Sequence, residues 1–247
     1  MSRGSEGSSF KDWSWPESIR QGTATAWPIY LGYLPIGLAF GVLAEKAGLN
    51  PLEVGLMSLL VFAGSSQFIA VSMLGGGAGA PAIVATTFVV NLRHLLMSSA
   101  LAVHLRGLGR GRLALFGFGV TDESFALNSA RFRERDWDWR PSLVVNQTSH
   151  AVWTGSTVAG AWAGKLVPAG AFGMDYALIA MFLSLLALQL QERRFVLSAA
   201  ASGLLAVALR LWVPGNAYVI LASVPAAALG AALAGRGRGR SERGKTP

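Results

Sequence analysis

Arg93 is the sole formal charge in an apolar stretch running from residue 80 to residue 103, and Asn91 and His94 stand on either side of it. A second polar knot, Gly64-Ser65-Ser66-Gln67, sits at the centre of an uncharged stretch, and a third, Thr121-Asp122-Glu123-Ser124, puts two carboxylates in a row between apolar flanks. The chemistry in these residue types is charge recognition. A guanidinium, or the free amides of a half-helix N-terminus at Gly64 to Gln67, can receive an anionic group such as a carboxylate. Asp122 or Glu123 can pair with Arg93, bind an ammonium, or carry a proton.

Each knot has a plainer reading beside the functional one. The Arg93 stretch is long enough to cross a bilayer, since about 20 apolar residues cover the hydrocarbon core. An arginine at mid-depth costs roughly 2.5 to 3.5 kcal/mol on insertion scales unless a wet cavity or a partner receives it. The same stretch can instead break at Asn91 into two half-spans, leaving Arg93 to snorkel near an interface. The serines and Gln67 fit plain helix packing as well as an unwound segment. Asp122 and Glu123 fit a surface loop between short hydrophobic pieces as well as a re-entrant or discontinuous segment.

The elements that must position these residues are membrane helices. Only 14% of the 247 residues are charged and 52% are hydrophobic, with a mean hydropathy of +0.45, whereas a soluble domain has about 25% charged residues. Thirty glycines and ten prolines fit the same class, because neighbouring helices satisfy the backbone groups that such residues free. Cysteine is absent, which excludes disulfides, thiolate metal sites and cysteine nucleophiles. No cofactor is implied. The net charge of +8 is spread over short segments between apolar runs and over the tail, a topology signal rather than a nucleic-acid surface.

In order, residues 1–22 read as a cytoplasmic or interfacial arm carrying Phe10, Trp13 and Trp15. Residues 23–234 form the transmembrane domain, and residues 235–247 a basic cytoplasmic tail suited to anionic lipid. The expected fold is an all-α polytopic integral membrane bundle of six to eight transmembrane segments with broken or re-entrant helices. Residues 23–44 carry Pro28 and Pro35 and read either as a broken helix lining a site or as a kinked span. Further runs lie at 54–74, 80–103, 113–130, 142–164, 176–190, 195–213 and 216–234. With eight spans, lysines and arginines divide fourteen to six between the two sides; with the Arg93 and Asp122 runs both re-entrant, six spans remain and the division is seventeen to three. Both arrangements put both termini in the cytoplasm.

Four ordered motifs, Tyr33-Leu34-Pro35-Ile36-Gly37-Leu38-Ala39-Phe40-Gly41, Phe62-Ala63-Gly64-Ser65-Ser66-Gln67-Phe68, Asn91-Leu92-Arg93-His94 and Thr121-Asp122-Glu123-Ser124-Phe125-Ala126-Leu127, resemble the AzlC family of branched-chain amino acid exporter large subunits. The resemblance covers residues 19–213. Ser65 stands where family members often carry alanine, a departure that would tune substrate size. The resemblance implies a bacterial inner-membrane permease that works with a small AzlD-type membrane subunit.

A small amphoteric substrate fits the residues as well. Gly64 to Gln67 or Arg93 would hold its carboxylate, Asp122 or Glu123 its ammonium, and Phe62, Phe68 and Leu95 an apolar side chain, with Asn91 and His94 beside Arg93 completing the set. Proton coupling fits export against a gradient. Gly37, Gly41, Gly160 and Gly164 mark faces where a partner helix can approach, and Gly41 with Gln67 and Gly160 with Gln189 hint at an internal repeat. Two other classes compete. An intramembrane enzyme would draw on Ser65, Ser66, His94, His104 and His150, yet neither a Gly-x-Ser-x-Gly elbow nor a His-Glu-x-x-His zinc motif is present. A channel or an accessory membrane subunit without carrier activity is the alternative.

Overall fold

A computed structural model describes residues 13–134, 137–166, 183, 193–212 and 225. Apart from residues 183 and 225, the expected runs at 176–190 and 216–234 lie outside these residues, as do residues 1–12 of the arm and the basic tail. The chain divides into two compact units, Met1–Ala177 and Leu178–Pro247. Seven helices are described in the first: α1 (Trp15–Lys46), α2 (Pro51–Val61), α3 (Gly64–Gly75), α4 (Ala80–Ala102), α5 (Arg110–Phe118), α6 (Asp122–Arg133) and α7 (Trp139–Gly164). The second contains α8 (Arg193–Trp212), whose Leu197, Leu204 and Leu211 are exposed. No strand occurs among the described residues. Among the described residues two helices, α1 and α4, are long and apolar enough to cross a membrane.

The first unit is built on α1 and α7, which lie side by side and run in the same direction. At their starts Trp13 meets Trp137 and Trp15 meets Trp139, ring centroids 5.8 and 5.7 Å apart and edge to face. Midway, Ser156 donates to the Tyr33 carbonyl at 3.3 Å; at their ends, Lys46 donates to the Gly164 carbonyl at 2.8 Å. The two N-termini are alike in sequence, Trp13-Ser14-Trp15 and Trp137-Asp138-Trp139, and each begins with a side-chain cap, from Ser14 and Asp138. Contact is backbone to backbone. A Cβ on Gly41 would collide with Thr157 O, Gly160 C and Ala161 N, and one on Gly160 with Leu38. The glycine faces of α1 and α7 are therefore occupied by each other and are not free for a partner subunit. Pro28 and Pro35 lie inside α1 without interrupting it, which removes the broken-helix reading of that segment.

From the C-terminal end of α1 the chain folds back along the pair. Asn50 caps α2, with Glu53 completing a capping box, and α2 descends until Ser58 meets Thr157 at 2.8 Å and Phe62 stacks on His150 at 4.2 Å. The helix ends there because Phe62 takes φ 38°, a left-handed conformation that costs a non-glycine residue about 1–2 kcal/mol. Then α3 climbs back, placing Phe68 against Phe40 at 5.0 Å, and Gly75 ends beside Ala47. The stretch from residue 51 to residue 75 is thus a hairpin of two short helices, 11 and 12 residues long, and not one continuous helix. Its break falls at Phe62 and Ala63, so Gly64 to Gln67 form the first turn of α3 and are not unwound.

The Arg93 stretch is one unbroken helix, α4, and the reading that splits it at Asn91 is overturned. It returns along the pair to the opposite end, where a second hairpin enters. Arg112 on α5 lies over the Trp139 ring at 5.4 Å. The carbonyls of Leu115 and Phe116 accept from Gln147 and Asn146 at 3.2 and 3.1 Å, and Phe118 reaches His150, edge-on at 5.4 Å. The chain reverses at residues 119–121. Thr121 caps α6, with Ser124 completing the box, and α6 withdraws until Phe132 stacks on His104 at 4.6 Å. Of the two stretches that the six-span alternative makes re-entrant, the Asp122 run folds as a hairpin of two short helices and the Arg93 run as one continuous helix.

Candidate functional site

The tips of the two hairpins meet halfway along the α1–α7 pair, and Arg93 joins them. Its Nη1 lies 2.9 Å from Asp122 Oδ2, and its Nη2 donates to Ser65 Oγ. Both charged side chains are partly exposed, 31% and 39%, so a ligand can reach the pair. Next to Arg93, the His94 Nδ1 sits 2.8 Å from the Val120 carbonyl and ties α4 to the second tip. The outward turns of α4 are apolar, with Phe88, Leu95 and Leu96 exposed. The polar turn of the helix therefore faces the tips while its other faces suit lipid.

Glu123 is held from the other side. The Tyr33 hydroxyl donates to Glu123 Oε2 at 2.8 Å and lies equally close to Thr121 Oγ1. The Tyr33 ring is buried against Trp153, edge-on at 5.2 Å. Asp122 and Glu123 are adjacent residues with separate partners, one on α4 and one on α1.

The first tip divides into committed and uncommitted groups. Gln67 is fully buried; its Nε2 donates to Ser58 Oγ at 3.0 Å and its Oε1 accepts from Trp153 Nε1 at 2.9 Å. Ser66 Oγ donates to the Ala63 carbonyl at 2.9 Å. No side chain caps α3, so the amides of Gly64, Ser65 and Ser66 have no intrahelical acceptor. On α4, Arg93 Nε, Asn91 Oδ1 and His94 Nε2 are buried without a hydrogen-bond partner. Three such atoms thus lie on one turn of α4, and the Arg93 among them reaches the uncapped start of α3 at Ser65; the others are on α1 and α7, at Glu45, Ser142, Ser149 and Thr154. Buried polar groups ordinarily find a partner, which makes this turn of α4 a candidate contact for a ligand.

The structure brings Ser65, Arg93 and Asp122 into contact, with Asn91, His94 and Glu123 around them. Gly64 lies against the Trp153 ring, which a Cβ on it would approach to 3.2 Å. Of the three apolar candidates only Phe62 lies at the tips: Phe68 is buried against Phe40, and Leu95 points outward. Reading the sequence missed Tyr33 and Trp153 as members of the site. Tyr33 opens one of the four motifs; nothing marks Trp153, whose role depends on the register of α1 against α7. Among the described residues no cluster of acidic or imidazole groups is arranged to hold a metal ion.

A family model described as AzlC protein matches residues 28–167, the segment that carries both hairpins, all of α7 and α1 from Pro28 onward. The chain is 30% identical over 225 residues to the inner membrane protein YgaZ of Escherichia coli, covering 88% of each. It is 29% identical over 195 residues to the branched-chain amino acid transport protein AzlC of Bacillus subtilis, covering 78% of this chain and 76% of that one. An uncharacterized membrane protein of Archaeoglobus fulgidus is 32% identical over 199 residues, covering 78% of this chain and 85% of its own. No solved structure matches the chain.

Proposed function

The chain belongs to the AzlC family, and on that basis we propose that it is an inner-membrane permease exporting branched-chain or similar small amino acids. The observation that carries this reading is the Arg93–Asp122 pair at the meeting of the two tips. A zwitterion brings one carboxylate and one ammonium, and this pair can exchange each internal partner for a substrate group without leaving either charge bare. The carboxylate takes Arg93, helped by the uncapped amides of Gly64, Ser65 and Ser66. The ammonium takes Asp122 and Glu123, with Asn91 Oδ1 as a neutral acceptor. Phe62 offers an apolar surface for the side chain. Ser65, in place of a smaller alanine, narrows that space.

In this reading the Gln67 side chain, the Ser66 hydroxyl and the His94 Nδ1 position the tips, since their hydrogen bonds are taken up by the fold, which leaves the Ser66 amide and His94 Nε2 toward the substrate. Six crossings are proposed: α1, α4, α7, the run at 176–190, α8 and the run at 216–234. With both hairpins re-entrant, seventeen lysines and arginines fall on the side of the two termini and three, Lys46, Lys165 and Arg210, on the other. That distribution supports cytoplasmic termini. A small AzlD-type membrane subunit is the proposed partner, seated elsewhere than on the Gly41 and Gly160 faces. Glu123 is the proposed proton carrier if export is coupled.

The test is efflux. The chain is expressed with and without the small subunit in an exporter-deficient bacterium fed leucine- or valine-containing dipeptides, and intracellular amino acid is followed. Lower accumulation that saturates and shows counterflow supports the carrier. Linear flux points instead to a channel, and no change with the protein verified in the membrane removes the substrate assignment.

A further inference from the structure

We infer that α2–α3 and α5–α6 are the two gates of an inverted repeat, one opening to each side of the membrane, and that Arg93 is the latch they share. This rests on the reading of the chain as a membrane carrier.

The repeat is visible in the order of elements. A long helix, α1, is followed by a hairpin hanging from its C-terminal end; a second long helix, α4, running the opposite way, is followed by a hairpin hanging from its own C-terminal end. The returning halves, α3 and α6, have 12 residues each. Both carry in their first turn a short polar run closed by phenylalanine: Ser65-Ser66-Gln67-Phe68, one residue into α3, and Asp122-Glu123-Ser124-Phe125, at the start of α6. Ser65 and Asp122 hold matching places in these runs, and they are the two residues that Arg93 contacts. Phe62 and Phe118, at the ends of the descending halves, both lie against His150. Opposed hairpins of this kind reach a midplane site from the two faces.

The latch follows from electrostatics. Withdrawal of α2–α3 uncovers Arg93 toward the end of the bundle where α1 finishes; withdrawal of α5–α6 uncovers it toward the end where α1 starts. One tip at a time can leave, because the other still supplies a hydroxyl or a carboxylate to the guanidinium. If both left together the charge would stand unmet at mid-depth, the costly arrangement in a bilayer. Arg93 thus opposes simultaneous opening, which would be a leak. A carboxylate arriving on Arg93 loosens its hold on one tip and so permits the exchange of faces.

The absence of cysteine makes the test direct. Ala63→Cys and Val120→Cys place one thiol at each tip, and Ala70→Cys and Leu127→Cys, further along α3 and α6, repeat the measurement if a tip does not accept sulfur. Each variant is labelled with a membrane-impermeant maleimide in vesicles of both orientations. The expected result is modification of the α2–α3 cysteines from the extracytoplasmic face and of the α5–α6 cysteines from the cytoplasmic face. Adding Arg93→Gln is expected to raise both rates at least several-fold. Labelling of both hairpins from one face, labelling of neither, or rates unmoved by Arg93→Gln overturns the inference. Sidedness is read without substrate: failed leucine export with intact sidedness sinks the substrate assignment alone, and export with one-sided labelling sinks the gates alone.

Discussion

Ser65 and Asp122, which belong to hairpins entering from opposite ends of the α1–α7 pair, are held by the two terminal nitrogens of a single guanidinium, that of Arg93. The arrangement makes one side chain answerable for both tips, and the consequences are measurable.

Replacing Arg93 by alanine, or Asp122 by asparagine, is expected to lower amino acid export at least tenfold, about 1.4 kcal/mol in the rate-limiting barrier. Arg93→Lys is the sharper probe. Lysine keeps the charge but, as a point charge, does not present two nitrogens in a fixed fork, so an intermediate loss is expected. Export from Arg93→Lys equal to that of the native chain would mean that the two-sided contact does not matter.

Tyr33→Phe removes one hydroxyl and leaves the ring against Trp153. Glu123 and Thr121 each lose a hydrogen-bond partner, worth about 0.5–1.5 kcal/mol net. Export is expected to fall roughly three- to tenfold, using the same conversion between rate and barrier. The melting temperature in detergent should fall only slightly, because packing is conserved and only the hydroxyl's hydrogen bonds are lost.

Gln67→Leu is expected to do the reverse. It strands Trp153 Nε1 and deprives Ser58 of a donor inside the core, and a buried group left unsatisfied costs about 1–3 kcal/mol. Thermal unfolding monitored in detergent should move down by several degrees. A variant as stable as the native chain would argue that Gln67 is free for substrate rather than committed to the hairpin.

Gly41→Leu forces a side chain into the backbone of residues 157–161 and is expected to destabilise by about 1–3 kcal/mol or more, with loss of folded protein on gel filtration. Gly32→Ala is the control: open space surrounds that position, and alanine in a helix is favoured over glycine by roughly 0.5–1 kcal/mol.

Much of the site is legible in residue types, because an isolated guanidinium and paired carboxylates within apolar runs leave few options in a bilayer. Arg93 with Asp122 is such a case. The hairpins are harder to read. The run containing Gly64 to Gln67 has a span's length and no charge, and what breaks it is a left-handed phenylalanine with no helix-breaking proline or glycine beside it in the descending half. Hydropathy alone registers length, so it counted a crossing where the chain turns back. The α1–α7 register was hidden for another reason. It rests on Trp13 with Trp137 and on Gly41 with Gly160, pairs far apart in sequence, and the shared tryptophan spacing at the two N-termini was the available clue.

That pairing also sets the order of assembly. Gly41 reaches its partner surface only after Gly160 has been made, and at 5–20 residues per second the wait is roughly 6–24 s. Through that interval the first helix stands in the bilayer with its closest-packing surface unfilled, while the four short helices of the two hairpins follow it in before their own supports exist. Biogenesis of such a chain favours an insertion machinery that shelters early helices until the seventh arrives, and the interval is where truncation or slow translation would do most harm.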